Sequence, residues 1–173
     1  MSTHLRFTVA KNPGHYTAVH ALMRSEGFEK SKLGFPTLMA YEGEELIGIV
    51  GTRVHKGMIV GGPLVVRTDR RRLFTILRLC EAYDNAMKSL GISTFILSVD
   101  KGSILDRGMA RYFPQQAPYA EDEGNRYFLW KVGQYGQQGI SAGSLRGREG
   151  PTEEPSGAVG PSTHDNRATT ATE

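Results

Sequence analysis

The sequence predicts an α/β domain with a mixed, centrally splayed sheet flanked by helices, and three observations support this prediction. Apolar residues between positions 5 and 132 recur with a period of two in some segments and with a period near 3.6 in others. Some neighbouring strands are separated by a short turn and others by a helix, so both antiparallel and parallel pairs are expected. Gly61, Gly62 and Pro63 interrupt one strand, where a bulge or a loss of pairing is expected.

The segment before this interruption is predicted to form a strand, a helix and a hairpin. These elements cover residues 5–9, 13–26, 37–41 and 46–55. Asn12 followed by Pro13 marks the start of the helix, because Asn caps helix N-termini well and Pro suits the first helical position. A short turn at residues 42–45 joins the two later strands, which indicates a hairpin.

The rest of the domain is predicted to alternate between strands and helices. The interrupted strand is followed by a long helix, a strand, a short helix and a last strand, and these five elements cover residues 57–67, 73–90, 92–99, 103–113 and 126–132. The long helix has apolar residues at helical spacing along one face, and Gly91 ends it. Ser103 is expected to cap the short helix, and Pro114 to end it.

The composition indicates one soluble domain without disulfides or a metal cluster. The chain has 173 residues, enough to build one hydrophobic core. Its single cysteine, Cys80, cannot form an internal disulfide or supply a zinc cluster, so we expect no metal and a reducing compartment. No secretory signal and no apolar run of membrane-spanning length is found, so we expect a cytoplasmic location without membrane contact.

Residues 133–173 differ sharply in composition from the preceding domain. They are rich in Gly, Ser, Thr and Pro and contain few large apolar residues. Such a segment buries too little apolar surface to offset its ordering entropy, so a disordered tail is predicted after residue 132. The tail is either a passive terminus or an arm that a protein assembly partner orders.

The domain has one basic cluster, which lies at a predicted strand-to-helix turn. It consists of Arg67, Arg70, Arg71 and Arg72. Backbone N–H groups and the helix dipole favour an anion at such a turn, so phosphate is the first candidate ligand. Residues 1–132 carry 18 Lys and Arg against 13 Asp and Glu, and this modest surplus lacks an interleaved aromatic surface. A nucleic-acid partner is therefore possible but not favoured.

The region around this turn resembles the signature of the GCN5-related N-acetyltransferase (GNAT) family. That signature runs strand, V-x-P-x-x-R-x-x-G-x-G/A, helix, Gly. Val66 falls on its Val, Thr68 on its Pro and Arg71 on its Arg, whereas Phe74 and Ile76 fall on the two glycines. The resemblance implies the GNAT fold for residues 1–132, with a glycine-free version of the family's pyrophosphate loop.

The resemblance also implies an acetyl-CoA site at the splayed strand and the turn after it. In the family the strand pairs with the pantetheine arm and the N–H groups of the turn bind the pyrophosphate. The corresponding cofactor-binding residues here are Val65, Val66, Arg71, Arg72, Leu73, Phe74, Thr75 and Ile76. Glycines in the family loop allow close approach of phosphate. Phe74 and Ile76 could obstruct this approach, or they could point into the helix core and leave Arg70, Arg71 and Arg72 to meet the phosphate with side-chain charge.

Catalytic residues are harder to match to the family. The family's usual acid is a tyrosine in the helix after the fifth strand, but Gly108 occupies that position here, which leaves Tyr112 as a displaced candidate acid. His55 and Asp100, near strand ends, are the candidate bases. Many family members deprotonate the amine through ordered water, so a missing base does not end the enzyme interpretation.

Two functions follow from the resemblance. The first is an N-acetyltransferase that transfers acetyl from acetyl-CoA to an amine of a small molecule or protein, by direct attack in a ternary complex. The second is a catalytically inactive GNAT-fold protein with a structural or binding role, such as a phage virion-associated assembly protein, which would place it in a virion.

Overall fold

The structure, a computed structural model, describes residues 4–28 and 32–134, and within these ranges seven strands form one sheet. The strands are β1 (Leu5–Val9), β2 (Leu38–Glu42), β3 (Glu45–His55), β4 (Met58–Val66), β5 (Thr94–Asp100), β6 (Ala120–Glu121) and β7 (Asn125–Lys131). Their order in the sheet is β1-β2-β3-β4-β5-β7-β6. Only β4 and β5 pair in parallel, and the other five pairs are antiparallel. The mixed α/β fold predicted from the sequence is confirmed.

Helices cover both faces of this sheet. They are α1 (Pro13–Ser25), α2 (Leu73–Ser89) and α3 (Ile104–Tyr112). Alternate residues of one strand face opposite sides. Thus Val65 belongs to a core cluster with α1, whereas Val66 belongs to a larger cluster with α2 and α3.

Local capping fixes where α1 and α3 begin. The Asn12 side chain accepts the His15 N–H at 2.9 Å, and Pro13 occupies the first turn of α1. The Ser103 hydroxyl accepts the Asp106 N–H at 3.1 Å at the start of α3. Both caps were predicted from the sequence, and each satisfies a backbone donor that the helix itself leaves unpaired.

The sheet opens between β4 and β5, as the Gly and Pro residues of β4 predict. Only two residue pairs join these strands, Val60 with Ile96 and Gly61 with Leu97. Beyond Gly61 the two strands diverge, and β3 carries a bulge on the other side of β4 between Val50 and Thr52. Pro63 has no N–H to donate to a neighbouring strand, which is consistent with the end of pairing here.

Two elements were not predicted from the sequence. Residues Thr68–Arg70 form a single 3-10 turn between β4 and α2. The two residues of β6 pair with β7 alone and form one edge of the sheet. The predicted tail covers residues 133–173, and from position 135 onward it lies outside the described residues.

The described chain continues past the predicted domain boundary at residue 132. The Gly133 N–H donates to the buried Asp84 carboxylate at 2.9 Å, and the indole N–H of Trp130 donates to the same carboxylate at 3.0 Å.

Among the residues that the structure describes, no helix is long and apolar enough to cross a membrane.

Candidate functional site

The divergence of β4 and β5 creates a cleft of about 290 Å³. Leu64 and Val66 of β4 form one wall, and residues 98–100 of β5 form the other. The first residues of α3 and the side chains of Arg71 and Ile76 complete the lining. The cleft therefore lies at the point where the sequence predicted a ligand-binding break in the sheet.

The Val66 carbonyl, at the end of β4, is held by an arginine from the following turn. Arg71 donates to this carbonyl from Nε at 3.2 Å and from Nη2 at 3.0 Å. On its β5 side, no strand among the described residues pairs with positions 62–66. The wall of the cleft is therefore an open strand edge, and Arg71 caps its last carbonyl.

A carboxylate of the chain lies beside the same arginine. Glu26, which ends α1, accepts hydrogen bonds on Oε2 from Arg71 Nη2 at 3.0 Å and from the Thr68 hydroxyl at 2.8 Å. The Thr68 N–H donates to this oxygen at 3.2 Å. The turn after β4 thus already holds an anionic group, which is consistent with the predicted preference of this turn for anions.

The other arginines of the basic cluster differ in how they are paired. Arg67 contacts Glu45 and also pairs with Asp69 at 3.0 Å. Arg70 pairs with Glu42 at 2.7 Å and with Asp69 at 3.1 Å. Arg72 is exposed, and its side chain forms no ion pair with the described parts of the chain. Most of the predicted positive charge of this cluster is therefore neutralised locally.

The N-terminus of α2 opens beside this turn without a side-chain cap. Its N-cap residue, Arg72, makes no capping hydrogen bond, and no acidic residue lies in the first helical turn. The positive end of a 17-residue helix is therefore available to an anion.

Residues 73–76, which the sequence predicted to form the cofactor loop, are mostly turned toward the core. Ile76 is 4% exposed and belongs to the α2 core cluster, and Thr75 is also buried. Leu73 and Phe74 are half-buried. The Ile76 side chain, at one of the two family glycine positions, thus packs into the core and also forms part of the cleft lining.

Polar side chains enter the cleft from β5 and β7. Ser98 is paired with Tyr127, and Asp100 with Asn125, and all four line the cleft. The Tyr127 hydroxyl donates to Asp122 Oδ2 at 2.6 Å. This hydrogen bond, together with partial burial, raises the pKa of Tyr127. The same bond and the N–H groups of the 122–125 turn lower the pKa of Asp122 to about 2.

A second cavity, which we call the basic groove, adjoins the cleft. Its volume is about 610 Å³. Its lining comprises Arg53, Val54, His55, Lys56, Met58, Val60, Ile96, Tyr119, Ala120 and Tyr127. Arg53 and Tyr127 line both cavities, so the groove and the cleft meet at these two side chains.

The three predicted catalytic residues fall in three different places. Asp100 lines the cleft, and His55 lines the basic groove at the end of β3. Tyr112 is the last residue of α3, half-buried against the core with Arg111 over its ring, and it lines neither cavity. Gly108, at the family's tyrosine position, is buried, and a Cβ there would lie 2.8 Å from Leu73 Cδ1.

Sequence reasoning missed the side chains that join the two cavities. Arg53 lies on a strand predicted only as part of a hairpin, and Tyr127 lies on the predicted last strand. The signal that could have found them is strand pairing, because residues paired across a sheet share a face. Within the described ranges, no group of three or more His, Cys, Asp or Glu side chains could hold a metal ion.

Several solved structures of acetyltransferases have a similar arrangement of elements. The acetyltransferase of the GNAT family from Staphylococcus aureus matches with a TM-score of 0.52 over 75% of this chain and 99% of that chain, at 10% identity. This chain has the GNAT fold.

Two further structures show the same relationship to this GNAT-fold chain. The ribosomal-protein-S18-alanine N-acetyltransferase of Escherichia coli matches with a TM-score of 0.56 and 13% identity, over 75% of this chain and 94% of that chain. The diaminobutyrate acetyltransferase of Paenibacillus lautus, in complex with L-2,4-diaminobutyric acid and coenzyme A, matches with a TM-score of 0.52 and 14% identity, over 76% and 96%. No family model and no curated protein matches the sequence.

Proposed function

We propose that this protein is an N-acetyltransferase that transfers an acetyl group from acetyl-CoA directly to an amine. The observation that supports this proposal is the cleft between β4 and β5, which leads to the uncapped N-terminus of α2 with Arg71 and Arg72 beside it. The GNAT fold is consistent with this use of the cleft, because the family binds its cofactor at the corresponding place.

The residues of the cleft fit the chemistry of acetyl-CoA. The open edge of β4 at Leu64 and Val66 offers backbone groups to the amides of a pantetheine arm. The α2 N-terminus, Arg71 and Arg72 suit a pyrophosphate, since helix N–H groups and guanidinium groups are both strong phosphate donors. Ile76 packs into the core and adds apolar surface to the lining of the cleft.

Direct transfer is favoured over a covalent relay through the protein. Cys80, the one cysteine of the chain, is buried in the core, and burial raises the pKa of its thiol to about 12. A neutral, inaccessible thiol is a poor nucleophile. The acceptor nitrogen would therefore attack the thioester carbon itself, losing one proton as the departing CoA sulfur gains one.

The cleft offers two groups for these proton movements. Acetyl-CoA supplies an activated thioester, and bound water, Asp100 or Tyr127 would handle the protons. The Tyr127 hydroxyl already donates its proton to Asp122 Oδ2 at 2.6 Å, so its oxygen is left to accept a hydrogen bond. Tyr127 could pass a proton to the departing sulfur only after the bond to Asp122 is broken. Asp100, at the end of β5, is the carboxylate that lines the cleft.

A second candidate function is a binding or assembly protein with the GNAT fold and no catalysis. Ion pairs that already occupy Arg67, Arg70 and Arg71 favour it, since they give the arginine cluster a role in holding the domain together. The absence of a tyrosine at position 108 favours it as well.

The experiment that separates these functions is calorimetric titration of the full chain with acetyl-CoA. We expect a dissociation constant of tens of micromolar or tighter, which is about 6 kcal/mol or more. Arg71→Ala and Arg72→Ala should each weaken binding by roughly tenfold. Arg78→Ala, which removes a cation from α2 at a site outside both cavities, is the matched control and should bind normally.

Two results would contradict these proposals. No heat at millimolar acetyl-CoA, together with no thermal shift, would overturn the acetyltransferase proposal. Unchanged affinity in both arginine variants would remove the phosphate site proposed here.

A further inference from the structure

The basic groove combines three nitrogen-bearing side chains with an apolar floor. Arg53, His55 and Lys56 lie together at the end of β3 and in the turn that follows it. Val60 and Ile96, paired across β4 and β5, form buried parts of the floor. Met58, Val54 and Tyr119 add exposed apolar surface, and Val54 and Tyr119 are 73% and 64% exposed.

Among the residues that the structure describes, none that lines this groove is acidic, so its positive charge is not balanced by its own lining. Within the part of the chain that the structure describes, no ion pair involves Arg53, His55 or Lys56, in contrast to Arg67, Arg70 and Arg71. Guanidinium and ammonium groups left without a partner on the rim of a cavity attract an anion from solution.

The carboxylates closest along β6 and β7 are already engaged elsewhere. Glu121 pairs with Lys101 at 3.1 Å and with Arg126 at 3.4 Å. Asp122 accepts from the Tyr127 hydroxyl and from the N–H groups of Gly124 and Asn125. These acidic groups are therefore engaged by their own partners. Asp100 lines the cleft together with Arg53, but within the described ranges no ion pair joins the two, so Arg53 can still bind a ligand anion.

The groove opens onto the cleft at the point where β4 and β5 separate. Arg53 pairs with Val60 on the neighbouring strand, and Val60 in turn pairs with Ile96, one residue before the last contact of β4 with β5 at Gly61 and Leu97. Arg53 and Tyr127 line both cavities. A molecule in the groove can therefore reach the cleft past these two side chains.

We propose that the basic groove binds the amine acceptor and selects a small molecule that carries a carboxylate as well as the amine, with an apolar portion between or beside them. This inference rests on the proposed acetyltransferase function. Arg53 binds the carboxylate, because two parallel N–H donors of its planar guanidinium match the two carboxylate oxygens. Lys56 and His55 add further hydrogen-bond donors. A volume of about 610 Å³ is in the usual range for a small-molecule site.

The test compares acceptors with and without the carboxylate, in the wild-type chain and in variants, so that the intrinsic difference in amine reactivity cancels between proteins. The full chain is incubated with acetyl-CoA and each free amino acid or its primary amide, and release of CoA is measured. We expect kcat/KM to be at least roughly tenfold higher for acids than for amides. Arg53→Gln, which removes the charge and keeps a polar side chain, should reduce this ratio to near one through KM. Lys56→Gln should reduce it less, and Arg78→Gln should leave it unchanged.

Two controls keep this test separate from the test of the enzyme itself. Acetyl-CoA binding to every variant is measured by calorimetry, because loss of cofactor binding would contradict the proposed function and not the groove. Binding of amino acids to the full chain is followed by saturation-transfer NMR with and without CoA, so it is detected even when no transfer occurs.

The inference is overturned by any of three results. The first is that amides react as well as acids in the wild-type chain. The second is that Arg53→Gln leaves the preference for acids intact. The third is that NMR finds no binding of any amino acid. Acetylation of peptides or proteins without acetylation of amino acids would assign the groove to a macromolecular acceptor instead.

Discussion

Arg71 Nη2 donates to Glu26 Oε2 at 3.0 Å, and this contact joins the end of α1 to the turn at the mouth of the cleft. The Glu26 side chain is only 11% exposed. Any phosphate that binds Arg71 must share the guanidinium with this carboxylate or displace it. The ion pair therefore sets an upper limit on how strongly Arg71 contributes to anion binding.

Removing the charge of Glu26 is expected to strengthen acetyl-CoA binding. Glu26→Gln retains a hydrogen-bond acceptor for Thr68 and Arg71 but removes repulsion between a carboxylate and the pyrophosphate. We expect about fivefold tighter binding at low salt, corresponding to about 1 kcal/mol, and a smaller effect at high salt. Calorimetry measures it, with Glu81→Gln on the far side of α2 as the charge-matched control. Weaker binding of Glu26→Gln would contradict the proposed position of the phosphates.

The burial of Cys80 gives a prediction about the kinetic mechanism, that is, whether transfer occurs in a ternary complex or through an acetyl-enzyme. Its thiol is 8% exposed, and burial raises its pKa to about 12, so it should take no part in transfer. Initial rates at several concentrations of both substrates should give intersecting double-reciprocal lines, as expected for a ternary complex. Cys80→Ala should keep kcat within about twofold even though it loses some stability from the core. Parallel lines, or loss of turnover in a folded Cys80→Ala variant, would indicate a covalent acetyl-enzyme.

Asp106 is expected to make stability depend on acid pH. Burial opposes its ionisation, but hydrogen bonds from the Gly102 N–H at 2.8 Å and from Arg126 at 2.5 Å outweigh this effect. The pKa of Asp106 therefore lies below its usual 3.8. Because the folded-state pKa is lower than the unfolded one, the contribution to stability is full above about pH 5 and is lost as the pH falls through and below 3.8.

The measurement for Asp106 is urea unfolding at several pH values between 7 and 3. Asp106→Asn should be about 1–3 kcal/mol less stable than the wild-type chain at pH 7, and the difference should shrink at pH 3. The exposed Glu44→Gln should change stability by less than about 0.5 kcal/mol at every pH. A difference for Asp106→Asn that stays constant down to pH 3 would show that its ionisation does not matter.

Local sequence signals predicted the order of elements and the break in the sheet. Gly61, Gly62 and Pro63 lie in β4 at the last contact with β5, where they were expected to end pairing. This prediction worked because each residue changes what its own backbone can do. The strand β6 was not predicted, because a segment of two residues is too short to show a hydrophobic period.

The charges of the candidate site could not be predicted in the same way. Arg71 is bound by Glu26 and Arg70 by Glu42, partners that lie many residues earlier in the chain. Arg53 and Tyr127 are likewise far apart in sequence and meet only because the sheet places β3 and β7 around the opening. Such pairings depend on three-dimensional packing, so the sequence showed a cationic turn where the structure has an ion-pair network.

The packing of β4 beside the opening depends on the absence of a side chain at Gly61. A Cβ there would lie 2.9 Å from Tyr83 Cε1 and 3.3 Å from Phe95 Cε2. The Tyr83 ring has little freedom to move away, because its hydroxyl is hydrogen-bonded to Thr52 at 2.6 Å. Gly61→Ala should therefore lower the free energy of unfolding by about 1–3 kcal/mol and weaken acetyl-CoA binding in the folded fraction. Gly124→Ala, whose Cβ would have no atom closer than 4.0 Å, is the control for urea unfolding and calorimetry. Equal stability and affinity in the two variants would mean that the close packing at Gly61 does not matter for the fold or for the cleft.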